Sequence, residues 1–160
     1  MRPNSLFGVL VLVLALGGTP PAAGAESAPY FVSLKSSEVY MREGPSEDNR
    51  IKWIYHRKGL PMEVIAAFDV WRRVRDMDGE IGWIHVALLS RDRMAVIAAG
   101  PDATVRRGEE NSSETIAEAK PGAVGRLVRC GAIACEVKFD EAEGWIDRGR
   151  LWGIRDGRDY

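Results

Sequence analysis

The residues of this chain best suited to nucleophilic, redox or metal chemistry are two cysteines and two histidines, and their spacing narrows what they can do. Cys130 and Cys135 bracket Gly131-Ala132-Ile133-Ala134. That is not the Cys-x-x-Cys spacing of a redox dithiol, and no basic neighbour beyond Arg129 poises a thiolate. If Ala132-Ile133 turns a hairpin, the cysteines oppose each other across two antiparallel strands. Opposed residues have Cα atoms about 4.5–5.5 Å apart, within disulfide reach. An even cysteine count in an exported chain points the same way. A bridged pair leaves no thiol to act beside His56 or His85. Two histidines do not make a zinc site without further ligands, and neither a phosphate-binding loop nor a Gly-x-Ser-x-Gly elbow is written here. Carboxylates are plentiful, but none lies in a recognisable apolar pocket that would raise its pKa. The sequence therefore predicts no catalytic residue, no metal and no cofactor.

What remains is aromatic chemistry, and its meaning depends on an internal repeat. Shifted by 62 to 64 residues, the chain aligns with itself. Arg42 falls over Arg106, Gly44 over Gly108 and Gly59 over Gly122. Trp71-Arg72-Arg73-Val74 meets Ala134-Cys135-Glu136-Val137, and Gly82-Trp83-Ile84 meets Gly144-Trp145-Ile146. Two tandem units follow, 30–90 and 92–153, with a short connection around Ser90–Arg93 that favours packed rather than freely jointed units. Tryptophans present in both copies, Trp83 and Trp145, are expected to plug duplicated cores. Gly82 and Gly144 would let a strand bend or another backbone approach.

Aromatics present in one copy only are different. Tyr40, Trp53, Tyr55, Trp71 and His85 belong to the first unit, while Thr104, Ala134 and Asp147 replace Tyr40, Trp71 and His85 in the second. Two copies of one fold make similar core demands, so the extra aromatics are candidate ligand-binding residues of the first unit. Covering the interface between the units is the other reading, and both stand open here. The bridge of Cys130 and Cys135 sits beside the missing tryptophan and is expected to compensate for it. The basic run Arg72-Arg73-Val74-Arg75 is interleaved with Asp69, Asp76, Asp78 and Glu80, which reads as a solvated mixed-charge face.

The elements that must position these residues read as short strands. Val39 and Met41 alternate with Tyr40, as Ala103 and Val105 do with Thr104. Met62–Phe68 and Val70–Arg75 are separated by a turn near Asp69, and Asp76-Met77-Asp78-Gly79 is a hairpin turn of the Asp-Gly type. Asn111–Lys120 reads, by register with the first unit, as a loop followed by a strand. About five or six strands in each unit, with no helical period, predict an all-β fold of small barrels.

These landmarks resemble the bacterial SH3-like domain (SH3b). The matching residues are Val39, Met41, Arg42, Gly44 and Pro45; Lys58, Gly59, Met62 and Val64; Trp71 and Val74; and Asp78, Gly79, Gly82, Trp83 and Ile84. The whole resembles the exported two-repeat SH3-like proteins of Gram-negative bacteria. The resemblance implies two tandem partly open SH3-like β-barrels with a binding or scaffolding role, often at the cell wall. The second unit departs from the pattern: Glu109 follows Gly108 where proline is expected, Ala134 replaces the tryptophan, and the turn before Gly144 lacks glycine.

The ends bound the setting. Arg2, the apolar run Leu6–Leu16, and Ala23-Gly24-Ala25 have the layout of a secretory signal peptide over 1–25, cut after Ala25. The run is too short to span a bilayer, for which about 20 residues are needed, so no membrane span is expected after cleavage. Residues 154–160 read as a C-terminal tail. A formal charge of −1 recruits neither nucleic acid nor an anionic membrane. The expected protein is periplasmic or secreted and non-enzymatic. Its expected ligand belongs to the cell envelope, either a peptidoglycan stem peptide or an extended segment of a periplasmic protein. A structural scaffold without small ligand is the competing reading, and a cell-wall hydrolase a remote one.

Overall fold

The computed structural model describes residues 29–155. The expected signal peptide, its cleavage point and residues 156–160 of the tail lie outside the described residues. Two seven-stranded antiparallel sheets follow one another along the chain. The first comprises β1 (Tyr30–Leu34), β2 (Val39–Arg42), β3 (Ile51–Tyr55), β4 (Pro61–Phe68), β5 (Trp71–Arg75), β6 (Ile81–His85) and β7 (Leu89–Ser90), ordered β3-β2-β6-β5-β4-β1-β7. The second repeats that order with β8 (Met94–Ile97), β9 (Ala103–Arg106), β10 (Thr115–Ala119), β11 (Val124–Cys130), β12 (Ala134–Lys138), β13 (Glu143–Asp147) and β14 (Leu151–Trp152). Single 3-10 turns at Val86–Leu88 and Arg148–Arg150 precede the last strand of each sheet. No α-helix occurs among the described residues, and Asn111–Lys120 is the expected loop and strand.

Period-two alternation builds each core. In β2, Val39 and Met41 are buried while Tyr40 is exposed. The first core gathers Val32, Leu34, Val39, Met41, Met62, Val64, Val74 and Ile84. The second is centred on Ile97, Val105, Leu127, Val137 and Ile146. Each fully buried aliphatic side chain contributes about 1.5–3 kcal/mol through the area it removes from water. The turns are those read from the sequence: Asp69 adopts φ 49° between β4 and β5. At the next hairpin Gly79 takes φ 88°, and its amide donates to the Asp76 carbonyl at 3.2 Å.

The two tryptophans pack differently from each other: Trp145 is buried at 8% exposure, whereas Trp83 is half-buried, and both lie outside the aliphatic clusters. In β6 the inward positions belong to Gly82 and Ile84, so Trp83, between them, points outward and is half-buried. Gly82 is inward because the chain crosses tightly there: a Cβ would lie 2.5 Å from Met41 Cγ and 2.8 Å from the Arg42 carbonyl oxygen. Gly144 is pressed just as closely, 2.6 Å from the Arg106 carbonyl oxygen on the same construction. The Gly-Trp-Ile signature therefore marks a backbone crossing, with the tryptophan on the opposite face.

Between the two sheets the chain has three residues, 91–93. The barrels touch through Phe31 and Trp152, whose rings meet edge-to-face at 5.1 Å. Arg57 Nη1 donates to the Gly122 carbonyl at 2.5 Å, and Arg155 Nη2 to the Pro29 carbonyl at 2.9 Å. Gly153, at φ 101°, packs so close to Pro61 that a Cβ would stand 2.8 Å from the proline Cβ.

Candidate functional site

The five aromatics of the first unit separate into two groups. Tyr55 pairs with Val39, and Trp53 with Met41, which turns both toward the inner side of the sheet at its β3 edge. There they close the barrel. Tyr55 Oη donates to Asp76 Oδ2 at 2.8 Å, and burial, followed by that bond to a carboxylate, drives the phenol pKa far above its ordinary value. Asp76 is buried and also accepts the amides of Asp78 and Glu80, so the β5–β6 turn is tied to β3. Lys52 Nζ meets Glu80 at 2.9 Å, and the Trp53 indole also bonds this carboxylate. Both bonds, that from Lys52 foremost, hold the Glu80 pKa below the ordinary carboxylate value. Trp53 remains 48% exposed, but its polar atom is engaged in closure.

The other group lies on the outer face. Trp71 and His85 are cross-strand partners whose rings meet edge-to-face at 5.3 Å. Trp71 is only 8% exposed, so it is packed rather than displayed. The His85 Nδ1 accepts the Ala87 amide at 3.1 Å and caps the 3-10 turn. A neutral imidazole bonded this way carries its proton on Nε2, which leaves a donor on the outer edge of the pair. Tyr40, 36% exposed, sits opposite Ile54 on the same outer face. Its hydroxyl donates to Glu38 Oε1 at 2.6 Å, and that bond, with the carboxylate's charge, raises its pKa.

A row the sequence reading had not assembled runs beside this pair. Trp83 stands between Arg42 on β2 and Arg73 on β5, each its direct cross-strand partner. Arg42 Nη1 donates to the Asn49 carbonyl at 2.7 Å, and neither arginine has a carboxylate within salt-bridge distance among the described residues. The expected mixed-charge face holds for Arg75, paired with Glu63 at 2.6 Å, but not for Arg73. Part of the signal was present in the sequence. With Gly82 and Ile84 inward, period two puts Trp83 outward, and antiparallel pairing brings Arg73 beside it.

The second barrel carries the same row in neutralised form. Arg106 is the cross-strand partner of Trp145, and Glu136 stands where the first barrel has Arg73. Arg106 is buried and forms an ion pair with Asp147, the residue in the place of His85. Arg129 meets Glu136 at 2.7 Å and lies 5.1 Å above the Trp145 ring, leaving that tryptophan only 8% exposed. The first barrel has Ala66 where Arg129 stands. One face is therefore an uncompensated Arg-Trp-Arg row, and the other is covered by its own charges.

The cysteines are bonded, as expected. Cys130 and Cys135 are direct cross-strand partners with Sγ atoms 2.00 Å apart and Cα atoms 4.0 Å apart. No free cysteine and no cluster of metal-ligating side chains occurs among the described residues. No helix among them is long and apolar enough to cross a membrane.

No curated protein matches the chain. Among solved structures it is similar to NlpC2 from Trichomonas vaginalis at 12% identity and a TM-score of 0.36, covering 83% of this chain and 52% of that one. It is similar to NlpC1 from the same organism at 10% identity and a TM-score of 0.34, covering 81% and 48%. An NlpC/P60 family protein from Bacillus cereus ATCC 10987 matches at 11% identity and a TM-score of 0.34, covering 76% and 55%. The chain spans about half the length of these proteins, and likeness at this level bears on none of its chemistry. The family model of the bacterial SH3 domain matches it twice, over residues 35–91 and 99–153. With two copies of the domain covering more than half its length, the chain belongs to the bacterial SH3 domain family.

Proposed function

We infer that this is a non-enzymatic cell-envelope binding protein whose first barrel recognises a carboxylate-bearing, extended ligand. The ligand class is the peptidoglycan stem peptide. Membership of the bacterial SH3 family and a disulfide both fit an extracellular setting. The observation that carries the reading is the contrast between the two faces. Arg42, Trp83 and Arg73 form a cationic-aromatic row without carboxylate partners, whereas the equivalent Arg106, Trp145 and Glu136 are neutralised by Asp147 and Arg129. Arginine suits planar, bidentate recognition of carboxylates, and an aromatic face beside it takes the apolar parts of a peptide. The Nε2–H of His85 adds a donor beside the row. With its cysteines bonded, the chain has no thiol nucleophile, which supports binding over hydrolysis.

Sedimentation with purified peptidoglycan tests this directly. The chain should co-sediment, retention should fall with added salt, and Arg73→Glu should abolish it while Arg129→Glu leaves it intact. No retention, or equal retention of Arg73→Glu and the parent, overturns the reading in favour of a scaffold without small ligand.

A further inference from the structure

The boundary between the barrels holds a second feature of a different kind. A cleft of about 590 Å³ opens there, within the size range of small-ligand sites. Leu34, Gly59 and Val124 contribute apolar or backbone lining, and four cationic residues line it: Lys35, Arg57, Lys58 and Arg126. Two carboxylates, Asp92 and Asp140, face them, so the lining is net positive. Asp92 is already engaged. It meets Arg126 Nη1 at 3.3 Å, and bonds from Ser90 and Arg126 hold its pKa below the ordinary value.

Apart from Arg126, which pairs with Asp92, the cations are gathered by backbone structure. Lys35 follows β1, and Lys58 precedes β4. The two segments are fixed to each other by the Leu34 amide on the Leu60 carbonyl at 2.9 Å and the Gly59 amide on the Leu34 carbonyl at 2.8 Å. Arg57 is held across the interface by its bond to Gly122 at 2.5 Å. Neither Lys35 nor Lys58 forms an ion pair within 4 Å among the described residues. Like charges held together at a partly enclosed surface repel, and the repulsion is relieved by an anion bound between them.

We propose that this inter-barrel cleft is a binding site for a small anion carrying two or more negative charges, as carboxylates or phosphate. Both barrels contribute to it, so it requires the tandem arrangement. It is separate from the Arg42–Trp83–Arg73 face and does not rest on the function assigned to that face.

Amide chemical shifts of the mature, disulfide-bonded chain, titrated in parallel with pyrophosphate and with citrate, provide the test. Saturable shifts at Lys35, Lys58, Gly59 and Arg126 are expected with at least one of them. A response to pyrophosphate alone identifies phosphate as the group, and a response to citrate identifies carboxylate. Lys58→Glu should weaken the interaction roughly tenfold or more, the loss of one charge-assisted contact. Lys58 is exposed, so the variant should melt with the parent protein. Arg73→Glu on the outer face should leave the titration unchanged. Absence of saturable shifts with both anions, or shifts indifferent to Lys58→Glu, would overturn the proposal whatever the outcome with peptidoglycan.

Discussion

Trp71 offers the sharpest test of the outer face, because absence from the second copy invited the expectation of a displayed side chain. At 8% exposure, with its ring on His85 at 5.3 Å, it is instead packed. A tryptophan buries about 150–250 Å², and at about 25 cal/mol per Å² its full removal has an upper bound of about 4–6 kcal/mol. Measured truncations of buried aromatics to alanine fall at about 3–5 kcal/mol. Trp71 lies on a sheet face where neighbours can settle into the vacated space, which places Trp71→Ala near the lower end, about 3 kcal/mol. For a domain of this size each kcal/mol shifts the midpoint by about 4–8 °C, so the first barrel's transition should drop by about 12–24 °C. Tyr40→Ala, at a site 36% exposed, should cost less than about 1 kcal/mol. Calorimetry with circular dichroism reads both without relying on tryptophan emission. A double-mutant cycle of Trp71→Ala and His85→Ala should give a coupling of about 0.5–1.5 kcal/mol for the aromatic pair. A midpoint for Trp71→Ala within a few degrees of the parent, or a coupling near zero, refutes the packing described. A binding loss in Trp71→Ala then has to be read at a temperature where the first barrel is folded.

Reduction of Cys130–Cys135, a loop of sequence separation 5, should lower the second barrel's stability by about 2 kcal/mol on chain-entropy grounds, seen as a lower melting midpoint. Asp147→Ala should cost about 1–2 kcal/mol in urea unfolding: it strands the Arg106 guanidinium, whose side chain is 7% exposed, though its partner at 49% exposure is well solvated. The raised Tyr55 pKa makes an alkaline prediction. Because the folded value lies above the ordinary phenol value of about 10, this contribution is complete below about pH 10 and is lost as pH rises beyond it. Tyr55→Phe should flatten that part of the stability profile, at the cost of the bond to Asp76; an equally steep decline in the variant counts against the closure role.

The duplicated strand pattern, the turn at Asp69, the Asp-Gly turn at Gly79 and the cysteine bridge were legible in the sequence, because each depends on neighbours within a hairpin. Period-two alternation assigns Val39 and Met41 inward without knowledge of the rest of the barrel. Register at Gly82 was half-legible: the need for close approach was readable, while its consequence for Trp83 required knowing which strand crosses there. Copy number did not by itself set exposure: Tyr40 and Trp53 are exposed at 36% and 48%, whereas Trp71 is packed at 8%. Trp53 and Tyr55 are unique to the first barrel because its β3 edge is closed by bonds to Asp76 and Glu80, and Trp71 is unique because it packs on His85.

Sequence alone determined two copies of one small β unit and the covalent staple in the second. The strand count, seven in each sheet rather than the expected five or six, came from the structure. Only tertiary structure decided which charges are neutralised. Arg42 and Arg106 occupy the same place in their repeats, yet one shares its tryptophan with Arg73 and the other is buried against Asp147. The partners lie 31 and 41 positions along the chain from each arginine. Coulomb energy depends on distance in space and on local solvation, neither of which is expressed by adjacency in the chain.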